Sequence, residues 1–198
     1  ALFLLYEGVE SNIGGWEATQ LTARGFSTSA AANATAFFWA ALTAGRVLLA
    51  PLTVRIAPGR IIIAALTIVA ILMLLAHLPA FTAVAYTLGG LGLASVFPVA
   101  FVWLGRTFPH SKHAPSLAVM AALLGGVVFP PIVGKWISVS TPEVLPTALT
   151  LFAGLCLIVA VRLQVVLPDR LSLDLPAGAP AVADRSVDPR CSTSTHVT

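Results

Sequence analysis

Apolar residues in this chain run in long unbroken blocks and do not alternate with polar ones. Continuous blocks of about twenty residues are what a helix needs to cross a hydrocarbon core of about 30 Å, and their continuity excludes a strand-rich barrel. The punctuation between the blocks predicts six helices: about Ala1 to Thr22, Ala30 to Leu52, Ile61 to Leu78, Phe81 to Leu104, Pro115 to Ile137 and Val144 to Leu167. Gly25 breaks the first connection and Ser27 or Ser29 offers an N-cap for the second helix; Pro79 marks a tight turn. After Pro168 the residues change to Pro, Asp, Arg, Ser and Thr, which predicts a six-helix unit over 1–167 and a disordered cytoplasmic tail over 168–198.

Composition agrees with a membrane protein. The chain is 58% hydrophobic and 10% charged, with mean hydropathy +0.93, against roughly 25% charged residues in soluble domains. The net charge of +3 is small and the basic residues sit in loops, so no nucleic-acid partner is expected. The chain opens on Ala1 and enters an apolar block at once, which reads as a piece of something longer; a signal peptide fits poorly, since glutamates interrupt the apolar run and no basic n-region precedes it. Cys156 and Cys191 lie in dissimilar surroundings and support neither a disulfide nor a zinc site. Arg55, Arg60, Arg106 and Lys112 gather in the loops after the second and fourth helices, and Arg24 and Lys135 lie opposite. By the positive-inside rule both ends are then cytoplasmic, in a multi-pass protein expected in a bacterial inner membrane.

The first helix departs from the rest. Glu7, Glu10, Gly14 and Glu17 share one face, within an arc of roughly 80° at 100° per residue. A carboxylate at mid-bilayer costs at least ~2.5 kcal/mol, so the stripe must face water, a partner or a substrate. The third and sixth helices are nearly featureless, as lipid-facing helices are, while Gly, Pro, Asn, Glu and Trp collect in the other four.

Four stretches carry a resemblance: YEGVESNIGGWEATQL, FFWAALTAGR, GLGLASVFPVAF and LGGVVFPPIVG. In order and spacing they resemble spans seven, eight, ten and eleven of a major facilitator superfamily transporter. They are most similar to the branch of fucose–proton symporters and related sugar permeases, and the similarity covers Ala1 to Leu167. It implies a twelve-helix protein of two bundles, of which this is the C-terminal one, with an N-terminal six-helix half as partner. The first and fourth helices of each bundle then line the cavity, the second and fifth meet the other bundle, and the third and sixth face lipid. Where the superfamily has Gly-x-Leu-x-Asp-Arg and Gly-Arg in a cytoplasmic loop, this chain has APLTVRIAPGR: Ala50 and Val54 replace the glycine and the acid, and Arg55, Gly59 and Arg60 remain. The loss of the acid argues against a charge-relay gate there.

The expected function is secondary transport of a small polar solute, a sugar by resemblance, coupled to protons by alternating access. Glu10, in the family-like pattern of Gly8, Glu10, Gly14 and Trp16, reads either as a substrate acceptor and protonatable group or as a carboxylate paired to hold the helix. Glu7 and Glu17 read in the same two ways. Gly14-Gly15 is expected to break the first helix and turn Glu17 towards an outer vestibule. Asn33 suits binding or interhelical bonding equally, and Tyr86 and Ser95 are expected near the cavity. Pro98 is expected to free backbone carbonyls, and Gly125, Gly126, Pro130 and Pro131 to form a bend used in rocking. The alternatives are efflux of an amphipathic compound and a non-transporting interaction or sensor protein on the same fold. The sequence offers no nucleophile–base set, cofactor motif or metal-ligand spacing, so neither an enzyme nor a cofactor is expected.

Overall fold

The computed structural model describes residues 1–49, 51 and 56–167; the expectations for Arg55 and the 168–198 tail lie outside them. Every regular element among these residues is helical: α1 (Leu2–Ala23), α2 (Thr28–Leu49), α3 (Pro58–Leu75), α4 (Thr82–Leu93), α5 (Val96–Thr107), α6 (Ala114–Val139), a 3-10 turn (Pro142–Val144) and α7 (Leu145–Val166). Four segments are long and apolar enough to cross a membrane: α3, α4 with α5, α6, and α7 with its leading turn. α1 and α2 have 22 residues each, the reach of a span, but glutamates dilute the first and a polar TSAAANAT start the second.

The chain dictates where each helix stops. At the end of α1, Gly25 takes φ +89, a left-handed conformation that costs glycine nothing. The Phe26 and Gly25 amides then donate back to the Leu21 carbonyl at 3.1 Å and the Thr22 carbonyl at 3.0 Å, a Schellman closure. Ser27 opens α2, its hydroxyl accepting from the Ala30 amide at 3.2 Å.

Three expectations are corrected. α1 runs unbroken through Gly14-Gly15, because its two neighbours support it on either side of the pair. The fourth span is two helices, with α4 ending at Leu93 and α5 starting at Val96. Pro98 has no amide to offer the carbonyl four residues back, and its ring crowds that carbonyl; the residue concerned is Ala94, at the break. Gly59 and Arg60 are not in a loop, since Pro58 starts α3 three residues earlier than predicted. The proline's fixed φ suits a first helical position.

α1 packs most extensively on α6, α2 on α4, and α3 on α7. The closest approach is at Gly125, where a Cβ would lie 2.2 Å from the Leu4 carbonyl oxygen. Only a glycine lets the α1 and α6 backbones meet there. One core runs through the bundle, from Tyr6, Val9 and Ile13 of α1 to Leu66 and Met73 of α3, Tyr86 and Leu93 of α4, and Leu149 of α7.

Candidate functional site

The glutamate face of α1 lies along its seam with α2, and the two helices run antiparallel. Glu10 meets Arg46, Gly14 lies under the Trp39 indole, and Glu17 faces Thr35. Ascending α1 thus descends α2, and the stripe becomes a polar line between two helices of one bundle.

Glu10 is 6% exposed and held from two sides. The Tyr6 hydroxyl, one turn earlier, donates to Oε2, and Arg46 Nη2 approaches Oε1 at 3.4 Å and Oε2 at 3.5 Å. The Tyr6 ring is fixed in turn by Phe97 of α5, 5.9 Å between centroids. Nearly half of the Arg46 side chain stays exposed, so a solute entering from that side would meet the guanidinium before the carboxylate. Glu7 is half-buried and leans on α6: a Cβ at Gly126 would sit 3.2 Å from its Cγ. Gly125 and Gly126 are therefore contact points between α1 and α6, and α6 continues through them and through Pro130 and Pro131.

Glu17 is fully buried, and neither carboxylate oxygen has a hydrogen-bond partner among the described residues. Thr35 faces it, but the threonine hydroxyl donates along its own helix to the Ala31 carbonyl at 3.4 Å. A buried carboxylate without a donor is costly and a rare feature of a settled core. One helical turn on, the buried Gln20 accepts from the hydroxyl of Tyr86, which is wholly buried on α4. Tyr86 is thus brought to the α1 polar line. Asn33 is not; it is exposed in a groove with Phe26 and Phe37 on the other side of α2. Ser95 is buried at the break between α4 and α5, and Pro98 is exposed beyond it.

The sequence reading missed the lock at the end of α1. Arg24 Nε donates to both Glu143 carboxylate oxygens at 2.9 Å, and Nη1 to the Ala76 carbonyl at 2.9 Å and to the Thr82 hydroxyl. One guanidinium thereby joins α1 to the connection between α3 and α4 and to the turn before α7. The Glu143 carboxylate pushes the Arg24 pKa up, and Arg24 holds the Glu143 carboxyl below its usual value; both lie in turns outside the helices. In the sequence the only trace was Arg24 standing on the side poor in basic residues. Trp16 donates its indole N–H to the Pro130 carbonyl at 3.1 Å and covers Gly134.

Among the described residues, no three His, Cys, Asp or Glu side chains converge on a point that could hold a metal. No curated protein and no solved structure matches the chain. A family model described as the Major Facilitator Superfamily matches residues 4–187, nearly the whole chain. With its apolar helices, the match makes this an integral membrane protein that belongs to the Major Facilitator Superfamily, a family of membrane transporters.

Proposed function

We propose that the chain forms one six-helix bundle of a proton-coupled symporter for a small polar solute, a sugar in the first instance, working by alternating access against a second bundle. The observation that carries this reading is Glu10: an acid in an apolar bundle, buried, yet tied to an arginine that is half open to the outside. A sugar hydroxyl can replace the Tyr6 donor or the Arg46 donor at such a carboxylate without either group leaving its helix. Glu7 and Glu17 extend the same polar line, and Tyr86 closes it from α4. The sugar class rests on the resemblance to the fucose–proton symporter branch.

Two uncovered faces support a partner bundle. α2 leaves Phe37, Trp39 and Val47 exposed, and α6 leaves Leu123, Val127 and Ile132 exposed, the two helices that meet the other half in the resembled fold. The basic residues that follow the second and fourth spans support a topology with both ends of the bundle in the cytoplasm, and the membrane expected for it is a bacterial inner membrane. Gly125 and Gly126, which lie against the Leu4 backbone and the Glu7 side chain, would with Pro130 and Pro131 let α6 move as a unit against α1.

The test uses the full-length protein in proteoliposomes under an imposed pH gradient, with labelled hexoses and deoxyhexoses as substrates. Glu10→Gln is expected to abolish accumulation while leaving the protein folded. Unchanged uptake with an unchanged pH dependence would sink the assignment. Gradient-driven export of amphipathic cations, with no sugar uptake, would place the chain among exporters instead.

A further inference from the structure

On the outer side of the bundle, away from the glutamate line, a groove of about 580 Å³ runs between α3 and α4. Ile61, Ala64, Ile68 and Leu72 of α3 form one wall and Leu88 and Leu91 of α4 the other, with Gly92 as the floor. Its volume is within the usual ~300–1,000 Å³ of a small-ligand site. The lining is apolar except for Arg60 and Ser95. From Arg60 to Leu72 the wall extends about 18 Å at 1.5 Å per residue.

Arg60 is exposed in the first turn of α3 and has no ion pair among the described residues. An arginine at the end of a span ordinarily snorkels to the interface and needs no further explanation. What sets Arg60 apart is the trough that it lines: a cation in the first turn of α3 stands beside a channel of Ile, Leu and Ala side chains. Gly92 forms the channel, because a side chain there would collide with Val69, a Cβ lying 2.8 Å from its Cγ2.

We propose that this groove seats one anionic phospholipid from the surrounding bilayer, its phosphate on Arg60 and one acyl chain along α3 and α4. A guanidinium suits phosphate through paired N–H donors, and Ser95 is the other polar residue of the lining. The α4–α5 break then has a second role, since it ends α4 beside the lipid backbone instead of covering it.

The test measures binding of nitroxide-labelled phosphatidylglycerol and phosphatidylcholine to the purified chain in detergent, read as the immobilised fraction in electron spin resonance. The wild-type chain should prefer phosphatidylglycerol by roughly fivefold, the effect expected of one arginine near the surface. Arg60→Gln should erase the preference and Arg60→Lys should keep most of it. Arg162→Gln should leave it intact: α7 starts beside the end of α3, with Thr147 3.3 Å from His77, so Arg162 lies at the same end as Arg60 but outside the groove. Ala64→Phe, or the smaller Ala64→Leu, should lower immobilisation of both lipids by filling the trough, with helicity by circular dichroism unchanged. Equal losses from Arg60→Gln and Arg162→Gln would reduce the effect to surface charge and overturn the site. So would full immobilisation in both Ala64 variants, or a dimer in native mass spectrometry that they dissolve, which would give the groove to a second copy.

Discussion

Arg24, the C-cap of α1, grips Glu143 in the turn before α7, and the guanidinium side chain is only 7% exposed although the carboxylate is 48% exposed. The burial is one-sided, so the two partners should respond differently to removal. Arg24→Ala strips hydrogen bonds from the Ala76 carbonyl and Thr82 as well as Glu143 and is expected to cost about 1–3 kcal/mol. Glu143→Gln loses a solvent-screened pair, about 0.2–1 kcal/mol. Thermal unfolding in detergent should rank them in that order.

The same pair gives a pH dependence. The Glu143 carboxyl is held below its ordinary value, chiefly by hydrogen bonds from Arg24. Its stabilisation is therefore fully present above the unfolded carboxyl's pKa of ~4.3 and disappears as pH falls through the lower folded value. The wild type should lose melting temperature in that acid window, and Glu143→Gln should flatten the loss there. Identical acid profiles for the two would mean that the pair contributes nothing measurable.

Gln20 and Tyr86 form a buried pair between α1 and α4. Tyr86→Phe leaves the Gln20 acceptor orphaned and is expected to cost about 1–3 kcal/mol, while replacing both partners with apolar groups is nearly neutral. The double variant Tyr86→Phe with Gln20→Leu should thus be more stable than Tyr86→Phe alone. A strictly additive double-mutant cycle would refute the coupling.

Six helices were legible in the sequence because unbroken apolar blocks of span length have few other folds, and the capping signals at Gly25 and Ser27 placed one boundary closely. What the sequence did not carry were relations across the bundle. Helical phase put Glu10 on a face with Glu17 but was silent on α2, so the descending order Arg46, Trp39, Thr35 against α1 was invisible. The Gly14-Gly15 pair reads locally as a break, yet the Trp39 ring fills the space over Gly14 and helical packing overrides the glycine cost of about 1 kcal/mol. Pro98 signalled a break that does occur, four residues upstream of itself.

Gly15, the second glycine of the Gly14-Gly15 pair, should behave oppositely to Gly125. A Cβ at Gly15 would meet nothing within 4 Å, so Gly15→Ala should stabilise α1 by about 0.5–1 kcal/mol. Gly125→Ala drives a Cβ into the Leu4 carbonyl and should cost about 1–3 kcal/mol through separation of α1 from α6. Measured unfolding temperatures of the two alanine variants should bracket the wild type; a destabilised Gly15→Ala would restore the pair as a break.

Glu17 gives the sharpest contrast between stability and use. Its carboxyl group is buried with no hydrogen-bond donor among the described residues, a cost of about 1–3 kcal/mol even for an uncharged polar group on protein mutational scales. Replacing it with an apolar side chain of similar length removes that cost and adds packing against Thr35 and the adjoining Leu21 and Ala34. Glu17→Met is therefore expected to raise the unfolding temperature, where substitution of a buried, satisfied acid would lower it sharply. Proteins keep such local conflicts where function needs them, so the stabilised variant should also transport worse in the full-length protein. Thermal unfolding decides the physical half of the argument on its own. A Glu17→Met protein that melts below wild type would mean that the carboxylate has a partner in the folded bundle and belongs to its scaffold.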